Sequence, residues 1–315
     1  MNRLASILLF LAFAAPVFAQ DRYAPLIDGI LAAWNVADVV CLGEGHARKK
    51  DSDLRLSLVR DPRFVRRVRA VVVEMANGTY QPVLDRFILD GAAMSRDELS
   101  VVWRNATAAE VWESPIYEEF LRAIREVNLA LPRDQRVRVI AGDTAIDWQT
   151  VTTAEQLASL MKSGQLNRGG NIRDLIAQQV LDKDIKALAI YGSGHCLNVG
   201  MGFPGELASK YPSRMWSVSG FLGEEGARTG REVFGLGDNP AYVVVRGTKY
   251  AQLPANAMFV GRPTLTVGNS VDAIVWYGDT SDPVVRADLT ELQRKYGAEL
   301  ARRARLMKEA TKLAR

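Results

Sequence analysis

The sequence predicts an α/β protein built on one mostly parallel central sheet with helices on both faces. Short apolar runs rich in β-branched residues recur along the chain, at residues 37–42, 70–73, 136–141, 186–191, 215–219, 241–246 and 272–276. They are continuously apolar rather than alternating, which is what strands buried on both faces require. Helix-forming stretches separate them, and strand–helix–strand alternation at this spacing builds a parallel sheet.

Each element has a local signature. Ser114 followed by Pro115 reads as an N-cap with proline at the first helical position, opening a helix to about residue 129. Thr153 with Gln156 three residues on matches a capping box ahead of 157–162. Residues 220–237, dense in glycine and charge, read as a surface loop. Residues 288–315 are proline-free with helix-forming composition, and are expected to pack on the domain or extend from it as a basic helix. The expected organisation is a signal peptide at 1–19, one α/β domain at 20–287 and the helix at 288–315.

Composition narrows the function classes. The 315 residues are 48% hydrophobic and 24% charged, an ordinary globular balance. Two histidines and two cysteines exclude a four-cysteine zinc module, a three-histidine metal site within one chain, and more than one intrachain disulfide. The net charge of +4 is concentrated in one place. Residues 288–315 carry eight Lys/Arg against four Asp/Glu, whereas 20–287 sum to −1. No basic face is spread over the domain, so nucleic acid is not an expected partner.

The first residues look like an export signal. Arg3 precedes an apolar or small-residue run from 4 to 15, Pro16 breaks it, and Val17 and Ala19 suit positions −3 and −1 of a cleavage site. The run is too short to span a bilayer well, and no transmembrane segment is expected. Cleavage is expected between Ala19 and Gln20, placing the mature chain in the periplasm or outside the cell. No cysteine follows to carry a lipid anchor.

Both histidines occupy the same setting. His46 ends Leu42-Gly43-Glu44-Gly45-His46 and His195 ends Tyr191-Gly192-Ser193-Gly194-His195, each a Gly-x-Gly-His directly after a strand. With 25 glycines in 315 residues, glycine at both offsets arises by chance in under about 1% of cases. The glycines are expected to turn the backbone tightly as it leaves the strand. Glu74 follows the second run, and Asp143 follows the third. In an open parallel sheet ligands bind beyond the carboxyl ends of the strands, so Glu44, His46, Glu74, Asp143 and His195 should meet at one rim.

Two chemistries fit such a set. His46, Glu74, Asp143 and His195 are the candidate ligands if Zn²⁺, Mn²⁺ or Fe²⁺ is bound. Without a metal, one histidine is a general base poised by a carboxylate. Arg48, Asn77, Tyr80, Gln81 and Trp148 are candidate substrate-binding residues near the rim. Residues 48–69 hold nine Lys/Arg and three Asp, read mostly as the solvated face of a helix. Cys41 and Cys196 are either two buried thiols or, if their strands are neighbours, a disulfide. Neither Gly-x-Gly forms a dinucleotide fingerprint, and Ser193 lacks the flanking pattern of a nucleophile elbow.

The Gly-Glu-Gly-His46 stretch, Val73-Glu74, the later Gly-Ser-Gly-His195 and Asp272-Ala-Ile-Val-Trp276 resemble the superfamily joining erythromycin esterase-like enzymes, Tiki/TraB-type proteases and ChaN-like haem-binding proteins. The stretch from Glu74 through Trp103 and Asp143 to Trp148 is similar to an exported bacterial subgroup. The resemblance implies an α/β fold with its site among these histidines and glutamates. It implies water activation in the esterase-like branch, metal dependence in the Tiki-like branch and haem in the ChaN-like branch. Where the esterase pattern has Thr-His after Gly-Glu, this chain has Gly-His.

The expectation is an exported hydrolase of an ester, amide or related bond in a small-molecule or peptide substrate. Glu44, His46, Glu74 and His195 would form its catalytic set. The alternatives are a haem- or metal-binding protein without catalysis, and an inactive interaction module using the basic C-terminal helix.

Overall fold

Seven strands among the described residues form one sheet in the order β3-β2-β4-β1-β5-β7-β6. They are β1 Val39–Glu44, β2 Ala70–Asn77, β3 Arg138–Asp143, β4 Ala187–Gly192, β5 Met215–Gly220, β6 Ala241–Val244 and β7 Ala273–Trp276. The computed structural model describes residues 22–221, 223–255, 265–278 and 281–314. The expected signal peptide and its cleavage point lie outside them. All neighbouring strands run parallel except the edge strand β6, which is antiparallel to β7.

Residue alternation divides the sheet between two cores. Val40, Leu42, Val71, Val73, Leu188 and Ile190 face a large core with Leu54, Leu58, Phe87 and Phe120 from flanking helices. Val39, Cys41, Ala70, Val72, Ala187 and Ala189 face the opposite core with Ile172, Ile176 and Phe203. Helices therefore cover both faces, and the central strands are mostly apolar because both of their faces are buried.

The register sets the rim. Glu44 pairs with Gly192, the last residues of β1 and β4, and Val73 pairs with Ile190, which puts Glu74 beside Tyr191. Cys41 and Cys196 form a disulfide, so the bridged alternative is the one found. It joins β1 to the 3₁₀ turn Ser193–Cys196 that carries His195.

One sequence expectation changes. Gly223–Glu232 is a helix, not a loop. A Cβ at Gly230 would lie 2.6 Å from Trp276, so that glycine serves close packing rather than breaking the helix. The basic C-terminal segment forms the helix Thr290–Ala314, which buries Leu306 and Ala310 against Leu157, Ala158 and Trp148. Arg302 donates to the carbonyls of Trp148 (2.8 Å) and Val151 (2.9 Å), so part of its charge fixes its own docking. No helix among the described residues is long and apolar enough to cross a membrane.

Candidate active site

The structure brings Glu44, His46, Glu74, Asp143 and His195 to the carboxyl ends of β1, β2, β3 and β4. His46 Nδ1 lies 3.0 Å from Glu44 Oε1. A carboxylate only accepts, so Nδ1 carries the proton and Nε2 keeps its lone pair. Glu44 is itself held from two more sides. The Tyr117 hydroxyl donates to Oε1 (3.0 Å), and the fully buried Arg55 guanidinium contacts Oε2. Burial pushes the Tyr117 phenol up to about 12, so it remains a donor.

The loop after β1 is pinned at each residue. Gly45 N–H donates to Asp51 Oδ2 (2.7 Å), and Ala47 N–H donates to the Tyr117 hydroxyl (2.9 Å). The left-handed turn falls on Ala47 (φ 59°) rather than on either glycine of the motif. Backbone strain of this kind persists only where surrounding contacts over-determine it. Asp51 also accepts from the Tyr277 hydroxyl (2.5 Å), and burial raises its carboxyl to about 6.

The glycines act through close approach instead. A Cβ on Gly43 would stand 2.9 Å from Ser193 Cα, so β1 could not lie this near the following turn. A Cβ on Gly192 would stand 2.9 Å from His46 Cε1, 3.0 Å from its Nε2 and 3.5 Å from Glu74 Oε2. Imidazole and carboxylate therefore share the space over a bare Cα. Gly192→Ala is expected to displace the ring and lower turnover by about 10²-fold, as misplacing a catalytic group by about 1 Å does. Kinetics alongside a thermal melt will separate displacement of the ring from unfolding.

Glu74 is the second centre. Oε2 accepts from Gly192 N–H (2.6 Å), and Oε1 lies 2.7 Å from Arg168 Nη2 and 3.5 Å from His195 Nε2. Arg168 Nε is 3.2 Å from Asp143 Oδ1, and Asp143 also accepts from Thr107 N–H (2.6 Å). Burial raises the Asp143 carboxyl, with Thr107 and Arg168 opposing. Both imidazoles titrate below the usual 6.5, chiefly through burial; Glu74 pulls each upward and Arg168 pushes each downward. The His46 side chain stays 39% exposed against a ring edge of Trp112 at 4.8 Å, so Nε2 is the reachable basic atom.

The candidate metal set does not fit a cation as arranged. The guanidinium of Arg168 lies between two of its carboxylates, and no three His, Cys, Asp or Glu side chains among the described residues converge to hold a metal. A single haem iron differs, because His46 offers one imidazole nitrogen with its other nitrogen anchored on a carboxylate, the usual arrangement of a ligating histidine.

Most expected substrate residues have structural work instead. Arg48 donates to the Asp282 carbonyl (2.8 Å), clamping 282–285 across the loop. Asn77 is wholly buried and donates to the carbonyls of Asn105 and Ile146. Gln81 pairs with Val139 O and Ala141 N, covering the free edge of β3. Tyr80 packs on the large core. Trp148 donates to Asn105 O and lines a cavity of about 370 Å³ together with Leu300, Ala304 and Met307 of the C-terminal helix.

Sequence reasoning missed Arg55, Tyr117 and Arg168. Arg55 was legible: Asp51, Leu54, Arg55 and Leu58 form one stripe at helical spacing, and all are buried. Assigning that run to a solvated face was therefore wrong for its inner residues. Arg168 opens the helix Arg168–Gln179, and nothing in its neighbourhood says where so long a side chain reaches.

Comparison with known proteins agrees with this picture. Residues 30–170, just under half the chain, match the family model described as "Haem-binding uptake, Tiki superfamily, ChaN". The match includes His46, Glu74, Asp143 and Arg168 but ends before His195. A structural-genomics protein from Bacillus cereus superposes with a TM-score of 0.56 at 14% identity, covering 84% of this chain and 93% of its own. An erythromycin esterase variant in its open conformation superposes with 0.55 at 12% identity, covering 82% and 92%. Both share the fold. A structure of cofacial heme binding to ChaN of Campylobacter jejuni aligns at 0.41 and 18% identity, covering 62% and 86%. No curated protein sequence matches.

Proposed function

We propose that this is an exported hydrolase whose general base is His46, acting on an ester or related acyl bond without a bound metal. The observation that carries the reading is the buried Arg55–Glu44 pair holding His46 Nδ1, which fixes the tautomer of a ring that stays 39% exposed. His46 Nε2 takes a proton from water while the water oxygen bonds to the acyl carbon. On collapse the imidazolium returns that proton to the departing alcohol or amine. Glu44 remains ionised throughout and stabilises the transient imidazolium. Glu74 orders Gly192, Arg168 and His195 around the reacting space.

The test is turnover of a panel of chromogenic esters and amides by the mature protein, with His46→Ala as the control. Because burial depresses His46, more than half of the base is unprotonated at pH 6.5. The acid limb of kcat/KM is therefore expected below 6.5, with activity lost as pH falls through that limb. An inflection above 7 would place the proton on another group.

The family match over His46 favours a second reading, a haem protein in which His46 Nε2 would hold the iron. Haem would supply the iron centre, and the chain's part would be to orient the imidazole through Glu44. A Soret shift on haem titration that disappears in His46→Ala supports it; no shift in the parent protein ends it.

A further inference from the structure

We infer that Arg168 is a built-in cation, holding Glu74 and Asp143 together in place of a divalent metal and excluding one from the site. Its guanidinium reaches Glu74 Oε1 at 2.7 Å and Asp143 Oδ1 at 3.2 Å, and His195 Nε2 stands 3.5 Å from the same Glu74 oxygen. Two carboxylates and an imidazole are residue types that hold Zn²⁺ or Mn²⁺, but with the guanidinium lodged between the acids these side chains do not converge on one point. Here their negative charge is already met by one group of the chain itself.

Each other contact supports that placement. Glu74 and Asp143 side chains are almost fully buried, so neither can stay ionised there without a partner. Glu74 Oε2 is committed to Gly192 N–H, and Asp143 Oδ2 to Thr107 N–H. That leaves Glu74 Oε1 and Asp143 Oδ1 facing the guanidinium, with the Thr107 hydroxyl also 3.1 Å from the latter. Arg168 comes from the first residue of a separate helix capped by Asn167, so its position is set independently of the strands that carry the acids. A guanidinium stays charged at all working pH values and, unlike a metal, is not lost to dilution or chelation.

The inference concerns the occupancy of the site and holds whichever reaction the site performs. Equilibrium dialysis of the mature protein against Zn²⁺ and Mn²⁺ tests it directly, with metal counted by elemental analysis. The native protein is expected to retain less than a tenth of an equivalent. Arg168→Ala, and the similarly sized Arg168→Met should alanine fold poorly, are expected to retain about one equivalent, and adding Glu74→Gln should remove it. Arg168→Lys, which keeps a positive charge, should again exclude metal. One tightly held equivalent in the native protein that Glu74→Gln abolishes would overturn the inference. So would folded Arg168→Ala and Arg168→Met proteins that bind none.

Discussion

His46→Ala is expected to lower kcat for ester hydrolysis by about 10³-fold or more, the loss that follows removal of a general base from an ordered dyad. Stability should change by no more than about 1 kcal/mol, because the side chain is 39% exposed and its principal ring contact is one edge of Trp112. The pairing of these two outcomes is the point: a large kinetic loss with an unchanged melt marks a group that acts in the reaction. A variant that melts normally and turns over substrate at the native rate would move the base elsewhere. His195→Ala is the useful comparison. Its Nε2 lies 3.5 Å from Glu74 Oε1, so its removal should alter the order of the Glu74 group rather than delete the base.

Arg55→Met is expected to cost about 3–5 kcal/mol, the largest stability effect of any single change considered, because it strands the Glu44 carboxylate in a dry environment. Arg55 is 2% exposed, contacts Glu44 directly and lies 5.6 Å from the ring centres of both Tyr117 and Phe120. Methionine would fill much of the same volume but provide no countercharge. The double variant Arg55→Met/Glu44→Gln should recover a substantial part of the loss, since the uncompensated charge is then gone. Denaturant unfolding of the native protein, both singles and the double closes this cycle. A single variant costing less than about 1 kcal/mol would show that Glu44 is not held ionised by Arg55. The single variant should also lose activity, because a protonated Glu44 no longer stabilises imidazolium at His46.

Much of this was legible in the sequence, and the limits have physical causes. The continuous apolar runs located all seven strands, because burial on both faces leaves little room for polar residues. The paired Gly-x-Gly-His motifs found both histidines, and strand order in a parallel sheet brought Glu74 and Asp143 to them. What the glycines do was not legible. They were read as turn formers, whereas Gly43 and Gly192 permit close approach and Ala47 takes the left-handed conformation. That distinction depends on which strands are neighbours. Arg168 was invisible for the same reason: it is 94 residues from Glu74, and a long side chain leaves no periodic trace. The backbone roles of Asn77 and Gln81 were not legible, because polar residues at a strand's end satisfy backbone as readily as they bind ligand. Here each meets carbonyl and amide groups that would otherwise be buried without partners.

The account rests on one protonation state, and the chain's scarcity of histidine makes it directly measurable. With only two imidazoles in the sequence, ¹⁵N-correlated NMR of the native protein and His195→Ala assigns both rings. At pH 7, His46 is predicted to be neutral with its proton on Nδ1, to titrate below 6.5, and to shift to a mixture of tautomers in Glu44→Gln. A His46 ring that is charged at pH 7, or neutral with its proton on Nε2, would contradict the assignment of this group as the base.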